Sequence, residues 1–138
     1  KENNSEVLLI SAKIESEISQ ISDMQDKQDF LESLGLKETG LKRVIKKGYE
    51  ILNYINYFTA GEKELRAWTI IKGTFAPSAA GTIHSDMEKG FIRAETISYD
   101  DYIANNGEAG AKEKGKLRLE GKEYEVKDGD VMHFLFNV

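Results

Sequence analysis

The sequence lacks or has few of several residue types, and each scarcity excludes a class of protein. Its 138 residues include no cysteine, which excludes disulfides, thiolate catalysis and cysteine-ligated metal centres within the chain. Its two histidines, His84 and His133, are too few for a histidine-rich metal site. The longest purely aliphatic run is Val7 to Ile10, far short of the ~20 residues that span a bilayer. We therefore expect a soluble protein of a reducing compartment, with no metal site and no membrane partner.

The charge balance is acidic. The chain carries 19 basic and 24 acidic side chains, a formal charge of −5, which argues against a general polyanion binder that works by charge excess alone. We expect no DNA partner. The sequence also opens at Lys1, without Met and without a signal-peptide pattern, so we expect a piece of a longer protein.

The first fifty residues have the pattern of the end of an α/β domain. A short aliphatic segment, Glu6 to Ser11, predicts a strand, and Ile14, Ile18 and Ile21 then recur at helical spacing. A second short helix is predicted around Phe30 to Leu34 and a third over residues 40–52, whose apolar positions share one face. A strand followed by helices is typical of such an ending.

From Tyr54 onward the hydrophobic period changes from 3.6 to 2, which predicts strands. The candidate strands are Tyr54–Thr59, Leu65–Lys72, Phe91–Ser98, Leu117–Glu120, Tyr124–Val126 and Val131–Asn137. Short helices are predicted after Pro77 and over residues 99–106 and 108–114. The fold class is therefore α+β, a small sheet crossed by one helix, and the β-grasp (ubiquitin-like) arrangement is the obvious member of that class.

Three stretches are distinctive enough to suggest a family: Tyr57 to Ile70, Ala79 to Glu95, and Asp128 to Val138. They closely resemble the C-terminal part of YchF-type (Obg-like) P-loop ATPases/GTPases. Ala80 to Asp86 also resembles the TGS domain, a β-grasp domain shared by threonyl-tRNA synthetases, such GTPases and SpoT-type enzymes. The resemblance covers essentially the whole chain. It implies that residues 1–52 are the C-terminal remnant of a Ras-like nucleotide-binding G domain and that residues 53–138 are a TGS domain.

The resemblance also implies a function for the parent protein. The parent is expected to bind and hydrolyse ATP with Mg²⁺, with GTP less favoured, to lie in the cytoplasm and to associate with ribosomes or RNA. Ser11, Ala12 and Lys13 resemble the last nucleotide-binding motif of G domains, whose backbone lies against the purine base. Without the resemblance, the same three residues are an ordinary strand-to-helix turn.

This chain contains no catalytic residues that we can identify. Its one near match to a phosphate-binding loop runs from Gly110 to Leu117, but Leu117 stands where a hydroxyl must bind Mg²⁺. A helix-like segment precedes this stretch and a hairpin follows it, the reverse of strand–loop–helix. We interpret it as a chance match and expect no ATP hydrolysis, and no cofactor, in this chain alone.

Candidate contacts to RNA or another partner lie in the second part of the chain, at Arg66, Lys72, His84, Lys89 and Arg93. The four cations form a basic patch if the sheet brings them together. Otherwise they are scattered solvated charges, because residues 53–138 carry 11 basic and 14 acidic side chains, a net charge of −3. For His84 we favour a structural role in capping a turn.

Other conspicuous residues have simpler interpretations. Trp68 is expected in the core, with stacking on a base as the alternative if it faces solvent. His133 is expected on the sheet surface, and Asp128 and Asp130 are expected to be turn or cap residues. The cluster Lys42, Arg43, Lys46 and Lys47 is expected to be a solvated helix face.

Two rival functions remain open. One is a binding module that docks on the ribosome or RNA independently of nucleotide. The other is a β-grasp protein-interaction or regulatory module that uses its sheet as ubiquitin-like domains do.

Overall fold

The computed structural model describes residues 7–61 and 64–137. The chain divides into two compact units, Lys1–Ile51 and Leu52–Val138. The predicted domain boundary, between residues 52 and 53, falls one residue from this division. Each unit is described by itself below.

The first unit is helical. It contains α1 (Ala12–Gln20), α2 (Met24–Ser33) and α3 (Gly40–Ile51). The α2 helix begins earlier than the apolar pattern predicted, because the Asp23 carboxylate caps it by accepting hydrogen bonds from the Gln25 and Asp26 amides at 2.8 and 3.0 Å. Among the described residues of the first unit, the buried apolar side chains are Ile18 in α1 and Leu31 in α2.

The strand predicted at the start of the first unit does not form over its described part, Val7 to Ser11. Glu6 lies outside the described residues. Val7 and Leu9 are 89% and 86% exposed. A strand needs a neighbouring strand to bond its backbone groups, and the described residues of this unit contain no other strand.

The second unit is a sheet with helices inserted between its strands. Its elements are β1 (Tyr54–Ala60), β2 (Leu65–Ile71), α4 (Ala76–Ile83), α5 (Ser85–Lys89), β3 (Phe91–Ser98), α6 (Tyr99–Ala104), α7 (Glu108–Glu113), β4 (Arg118–Glu120) and β5 (Asp130–Phe136). The five strands lie in the order β2-β1-β5-β3-β4. The β1 and β5 strands are parallel, and the other pairs are antiparallel. This confirms the predicted α+β class and fits the β-grasp arrangement.

The register of β1 and β2 separates the two faces of the sheet. The pairs Ile55–Ile70 and Tyr57–Trp68 face α4 and belong to the hydrophobic core, with Trp68 at its margin. Tyr57 is fully buried, and its hydroxyl donates to the Ala79 carbonyl at 2.8 Å. Because Ala79 is in α4, this bond attaches the helix to the sheet.

The strand predicted at Tyr124–Val126 is wrong. Of these residues, Glu125 forms an isolated bridge with Phe75, outside the strands. Two backbone hydrogen bonds, from Ala76 to the Tyr124 carbonyl and from Val126 to the Thr74 carbonyl, accompany that bridge. The segment is also held by Asp130, which is 2% exposed and accepts hydrogen bonds from the Tyr124 hydroxyl at 2.7 Å and the Lys127 amide at 2.9 Å. The interpretation of Asp130 as a simple turn residue therefore missed a buried polar centre.

Candidate base-binding turn and docking residues

Ser11, Ala12 and Lys13 form the exposed first turn of α1. Ser11 is the N-cap, and its hydroxyl accepts a hydrogen bond from the Ile14 amide at 3.4 Å. The Ala12 and Lys13 amides are among the first four of the helix and so have no intrahelical acceptor. Lys13 lies 3.9 Å from Glu17, and its side chain is 86% exposed. The turn therefore offers small side chains and backbone donors, which suit the edge of a flat ring.

The Glu15 carboxylate fixes this turn to α3, and sequence reasoning did not single it out. Its two oxygens accept hydrogen bonds from the Gly40 amide at 2.7 Å and the Leu41 amide at 3.2 Å. A side chain at position 40 would meet Glu15, since a Cβ there would lie 2.8 Å from the carboxylate. The sequence shows an acidic residue and a glycine that begins a helix, but 25 residues separate the two, so no local pattern links them.

A cavity of about 560 Å³ adjoins the turn, lined by Leu9, Ser11, Glu15, Leu36, Glu38 and Arg43. The Arg43 guanidinium donates to the Leu9 carbonyl at 3.3 Å. Lys46 lies 2.7 Å from Glu38, and its hydrogen bond lowers the pKa of that carboxyl. Arg43 and Lys46, two of the basic residues of α3, therefore have local partners, which fits the interpretation of this cluster as a helix surface.

The stretch that mimics a phosphate-binding loop has a structural explanation. Gly110 is in α7, and β4 begins at Arg118, so the order is helix–loop–strand, as predicted. A Cβ at Gly110 would collide with the Asn105 carbonyl oxygen. Glycine is required here by the close approach of two backbone segments.

A groove of about 430 Å³ lies at the end of the β1–β2 pair, against α4, α5 and β5. Its lining includes Arg66, Trp68, Ile83, Met87 and Phe134. Trp68 is half-buried, its indole N–H donates to the Thr59 hydroxyl at 3.0 Å, and the Arg66 guanidinium lies 4.4 Å from its ring centroid. Trp68 thus combines the two predicted roles: it packs against the core and also presents a cation-covered ring to the groove.

His84 and Lys89 flank α5, whose Met87 lines the same groove as Arg66. The His84 Nδ1 accepts a hydrogen bond from the Asp86 amide at 3.2 Å, so His84 caps this helix, in agreement with the favoured interpretation. Its side chain is 65% exposed, which leaves the imidazole accessible. Arg66 and Met87, in the middle of α5, therefore line one groove, whereas His84 and Lys89 lie at the ends of that helix and are not among the lining residues.

Lys72 and Arg93 lie elsewhere. Lys72 follows β2 at the end opposite Arg66, roughly 20 Å away at 3.3 Å per residue. Arg93 pairs with Leu135, whereas the adjacent Ala94 pairs with Phe134, a core residue, so Arg93 faces away from α4. The four cations do not form one continuous basic patch.

Residues 7–61 and 64–137 contain no group of three or more acidic, histidine or cysteine side chains placed to hold a metal ion. In the same residues, no helix has the length and apolar content to cross a membrane.

Comparison with known proteins shows a family and a set of relatives. Residues 54–137 match the family model YchF-GTPase_C, described as "Protein of unknown function (DUF933)". The "Ribosome-binding ATPase YchF" of Bacillus subtilis is 60% identical over 135 residues, covering 98% of this chain and 37% of that protein. The protein of the same name from Haemophilus influenzae is 61% identical over 132 residues, covering 96% and 36%. The chain spans about a third of the length of these curated relatives.

Two solved structures extend the comparison. The structure of the Schizosaccharomyces pombe YchF GTPase matches with a TM-score of 0.78 and 38% identity, over 91% of this chain and 33% of that one. A GTP-binding protein from Pyrococcus horikoshii matches with a TM-score of 0.52 and 19% identity, over 99% and 33%, which shows likeness of fold alone. Since the family model covers more than half of the residues, the chain belongs to the YchF GTPase C-terminal family.

Proposed function

We propose that this chain is the C-terminal part of a ribosome-binding ATPase. The observation that carries the proposal is identity of 60% and 61%, over nearly the whole chain, to relatives named as ribosome-binding ATPases. The parent protein would act in the cytoplasm, where ribosomes are, and would prefer ATP to GTP.

The first unit would close the nucleotide-binding domain. Ser11, Ala12 and Lys13 would lie against the purine, with the Ala12 and Lys13 amides available to its edge and the small Ala12 side chain permitting close approach. The turn fits this role because its backbone donors are exposed and Glu15 holds it on α3. ATP and Mg²⁺ would supply the phosphoryl chemistry, and the residues of this chain would position the base and leave the phosphates to other parts of the parent.

The second unit would dock on ribosomal RNA. Its net charge of −3 excludes attraction by bulk field, so the contact must rely on shape and local cations. Arg66 is the best placed of the candidates, because it lines the groove, and His84 and Lys89 come next, because they lie at the ends of α5, whose Met87 also lines it. Lys72 and Arg93 are kept as candidates for separate contacts.

Pelleting of the 138-residue chain with purified ribosomes over a series of KCl concentrations tests the docking. We expect binding that weakens with salt. The double variant His84→Ala/Lys89→Ala should reduce the slope of log affinity against log salt by about 1 for each phosphate that the protein no longer neutralises. Lys122→Ala is the matched control. Lys122 is exposed in the turn that follows β4, the strand at the opposite edge of the sheet from β2.

Binding that survives in the double variant and fails in the control would contradict the assignment to α5. An absence of ribosome pelleting at low salt would contradict docking by this unit. In the same preparations we expect no ATP turnover, and steady turnover by the purified chain would contradict the assignment of phosphate chemistry to the parent.

One observation favours the second candidate, a protein-interaction module. On the face of β1 and β2 that points away from α4, the cross-strand pairs Asn56–Thr69, Phe58–Ala67 and Ala60–Leu65 carry no charge. Such a face suits a protein better than a polyanion.

A further inference from the structure

The β2 strand is an outer strand of the sheet, with β1 on one side and no strand of the described residues on the other. An outer strand presents unpaired N–H and C=O groups and is a template for pairing with another chain. Proteins protect such edges with charged side chains, proline, bulges or short length. Within Leu65–Ile71 the one charged side chain is Arg66. Leu65–Ile71 contains no proline, and its seven pairs with β1 run without a shift of register.

The hydrogen bonds at the two ends of β2 show which backbone groups point outward. The Lys72 amide donates to the Asn53 carbonyl at 2.7 Å, and the Gly61 amide donates to the Glu64 carbonyl at 3.0 Å. Hydrogen-bonded pairs alternate along an antiparallel ladder, so the even-numbered residues from Glu64 to Lys72 bond toward β1. The odd-numbered residues direct their backbone groups to the open edge: Leu65, Ala67, Thr69 and Ile71. Of these groups, the Ile71 carbonyl already accepts hydrogen bonds from the Thr74 amide at 3.1 Å and the Thr74 hydroxyl at 2.6 Å.

The charges at the two ends of β2 are complementary to those of a second β2 strand that runs in the opposite direction. The segment begins with an acidic residue, Glu64, ends with a basic one, Lys72, and has Trp68 at its midpoint. Leu65 and Ile71 lie just inside the charged ends and are 70% and 59% exposed. When such a strand is turned by 180° against a copy of itself, each end meets its opposite charge.

We propose that β2 pairs antiparallel with β2 of a second copy of this chain, about a twofold axis at Trp68, to form one continuous sheet. In this register the outward-facing backbone groups of the two strands meet as hydrogen-bonded pairs, because every odd-numbered residue opposes an odd-numbered one. The cross-strand pairs, each made twice except at the axis, are Glu64–Lys72, Leu65–Ile71, Arg66–Ile70, Ala67–Thr69 and Trp68–Trp68.

The register is specified by charge and by apolar contact. Shifting either strand by two residues removes the Glu64–Lys72 pairs and places Trp68 off the axis. On the face away from α4 the pairing covers Leu65 and Ile71, which are otherwise exposed. On the other face it brings the two Trp68 side chains to a non-hydrogen-bonded position, where side chains approach most closely.

The dimer is expected to be weak and symmetric. One strand pairing buries less area than the ~1,200 Å² at the lower limit of stable interfaces, so its dissociation constant should fall on the order of 10–1,000 μM. The contact is isologous, since the same strand is used by both copies, and it closes at two chains.

Sedimentation velocity of the 138-residue chain across that concentration range tests the proposal, with charge swaps as variants. Glu64→Lys alone and Lys72→Glu alone each convert two attractive pairs into repulsive ones and should weaken the dimer about tenfold. The double variant Glu64→Lys/Lys72→Glu restores both pairs and should recover wild-type affinity. An equimolar mixture of the two single variants should form a heterodimer, because each Lys then meets a Glu.

Three further readouts complete the design. Lys122→Glu is the matched control and should leave the dimer unchanged. Ala67→Pro removes an outward N–H without removing a bond to β1 and should yield monomer. Circular dichroism checks the fold of each variant.

A wild-type chain that stays monomeric at the highest concentration would overturn the proposal. So would single variants that fail to combine in the mixture, since the pairing predicts their recovery from charge alone. A monomeric wild type that instead binds an extended peptide along β2 would assign the edge to a different partner and would equally overturn it.

Discussion

Asp130→Asn is the substitution whose effect the structure defines most sharply. The Asp130 carboxylate is buried at 2% exposure and accepts hydrogen bonds from the Tyr124 hydroxyl at 2.7 Å, the Lys127 amide at 2.9 Å and the Arg118 guanidinium at 3.2 Å. Burial, and then the hydrogen bond to Asp130, raise the pKa of Tyr124. Tyr124 therefore stays a neutral donor across the accessible pH range.

An asparagine fills the same volume but replaces one acceptor oxygen with a donor. Either the donors from Tyr124 and Lys127 lose their acceptor, or the Arg118 guanidinium faces an amide N–H. Breaking a buried charged pair costs about 3 kcal/mol or more, because the remaining partner stays desolvated. We expect about 3 kcal/mol, which lowers the melting temperature of a unit of this size by roughly 12–24 °C.

Urea unfolding followed by fluorescence of Trp68 measures this loss, since Trp68 is the single tryptophan and lies in the same unit. Asp128→Asn is the matched control. Asp128 is an exposed neighbour whose carboxylate accepts one bond, from the Asn56 amide at 2.8 Å. The remaining amide oxygen of an asparagine can still accept that bond, so this substitution should cost at most about 1 kcal/mol. If Asp130→Asn costs no more than Asp128→Asn, the reasoning about the buried network is refuted.

Two further predictions concern the core. Gly90→Ala should destabilise the protein by about 2 kcal/mol in urea unfolding, because a Cβ there would collide with the Asn137 carbonyl oxygen. Gly121→Ala is the control and should be nearly neutral, because a Cβ at position 121 would have no atom within 4 Å. Equal effects of the two substitutions would contradict this account. Burial raises the pKa of Tyr57 from 10 to about 12, so its contribution to stability is fully present below pH 10. That contribution should be lost as pH rises through 12, by up to about 3 kcal/mol in all. Unfolding at pH 9 and 11 should show about half of this loss, roughly 1.4 kcal/mol, in the wild type and not in Tyr57→Phe. Parallel losses in both proteins would refute this account.

Local patterns predicted the elements that carry their own signals. Alternation over Phe91 to Ser98 predicted β3 to the residue, and the apolar stripe after Gly40 predicted α3. The two failures, at residues 7–11 and 124–126, are short segments whose state depends on partners far away in sequence. Residues 124–126 form a single bridge to Phe75 and are also held by Asp130, and alternation cannot distinguish a single bridge from a strand.

The candidate site was predicted less completely than the fold. His84 as a helix cap followed from its position beside Asp86, and Ser11 was found through a family motif. The role of Glu15 depends on Gly40, and the groove beneath Arg66 depends on the packing of α5. Neither arrangement leaves a periodic signal, because the residues that meet are distant along the chain.

The sequence by itself determined the fold class, the family and the absence, within these 138 residues, of a phosphate-binding loop that fits its chemistry, because period, turn residues and motif spacing are local properties. Only the tertiary structure decided that Asp130 is a buried acceptor, that Arg66 and Arg93 lie on opposite faces, and that the odd-numbered residues of β2 direct their backbone groups outward. These depend on register and strand order. A register shift of one residue moves every side chain to the other face, so which groups face the core or the open edge follows from how strands distant in the sequence pair.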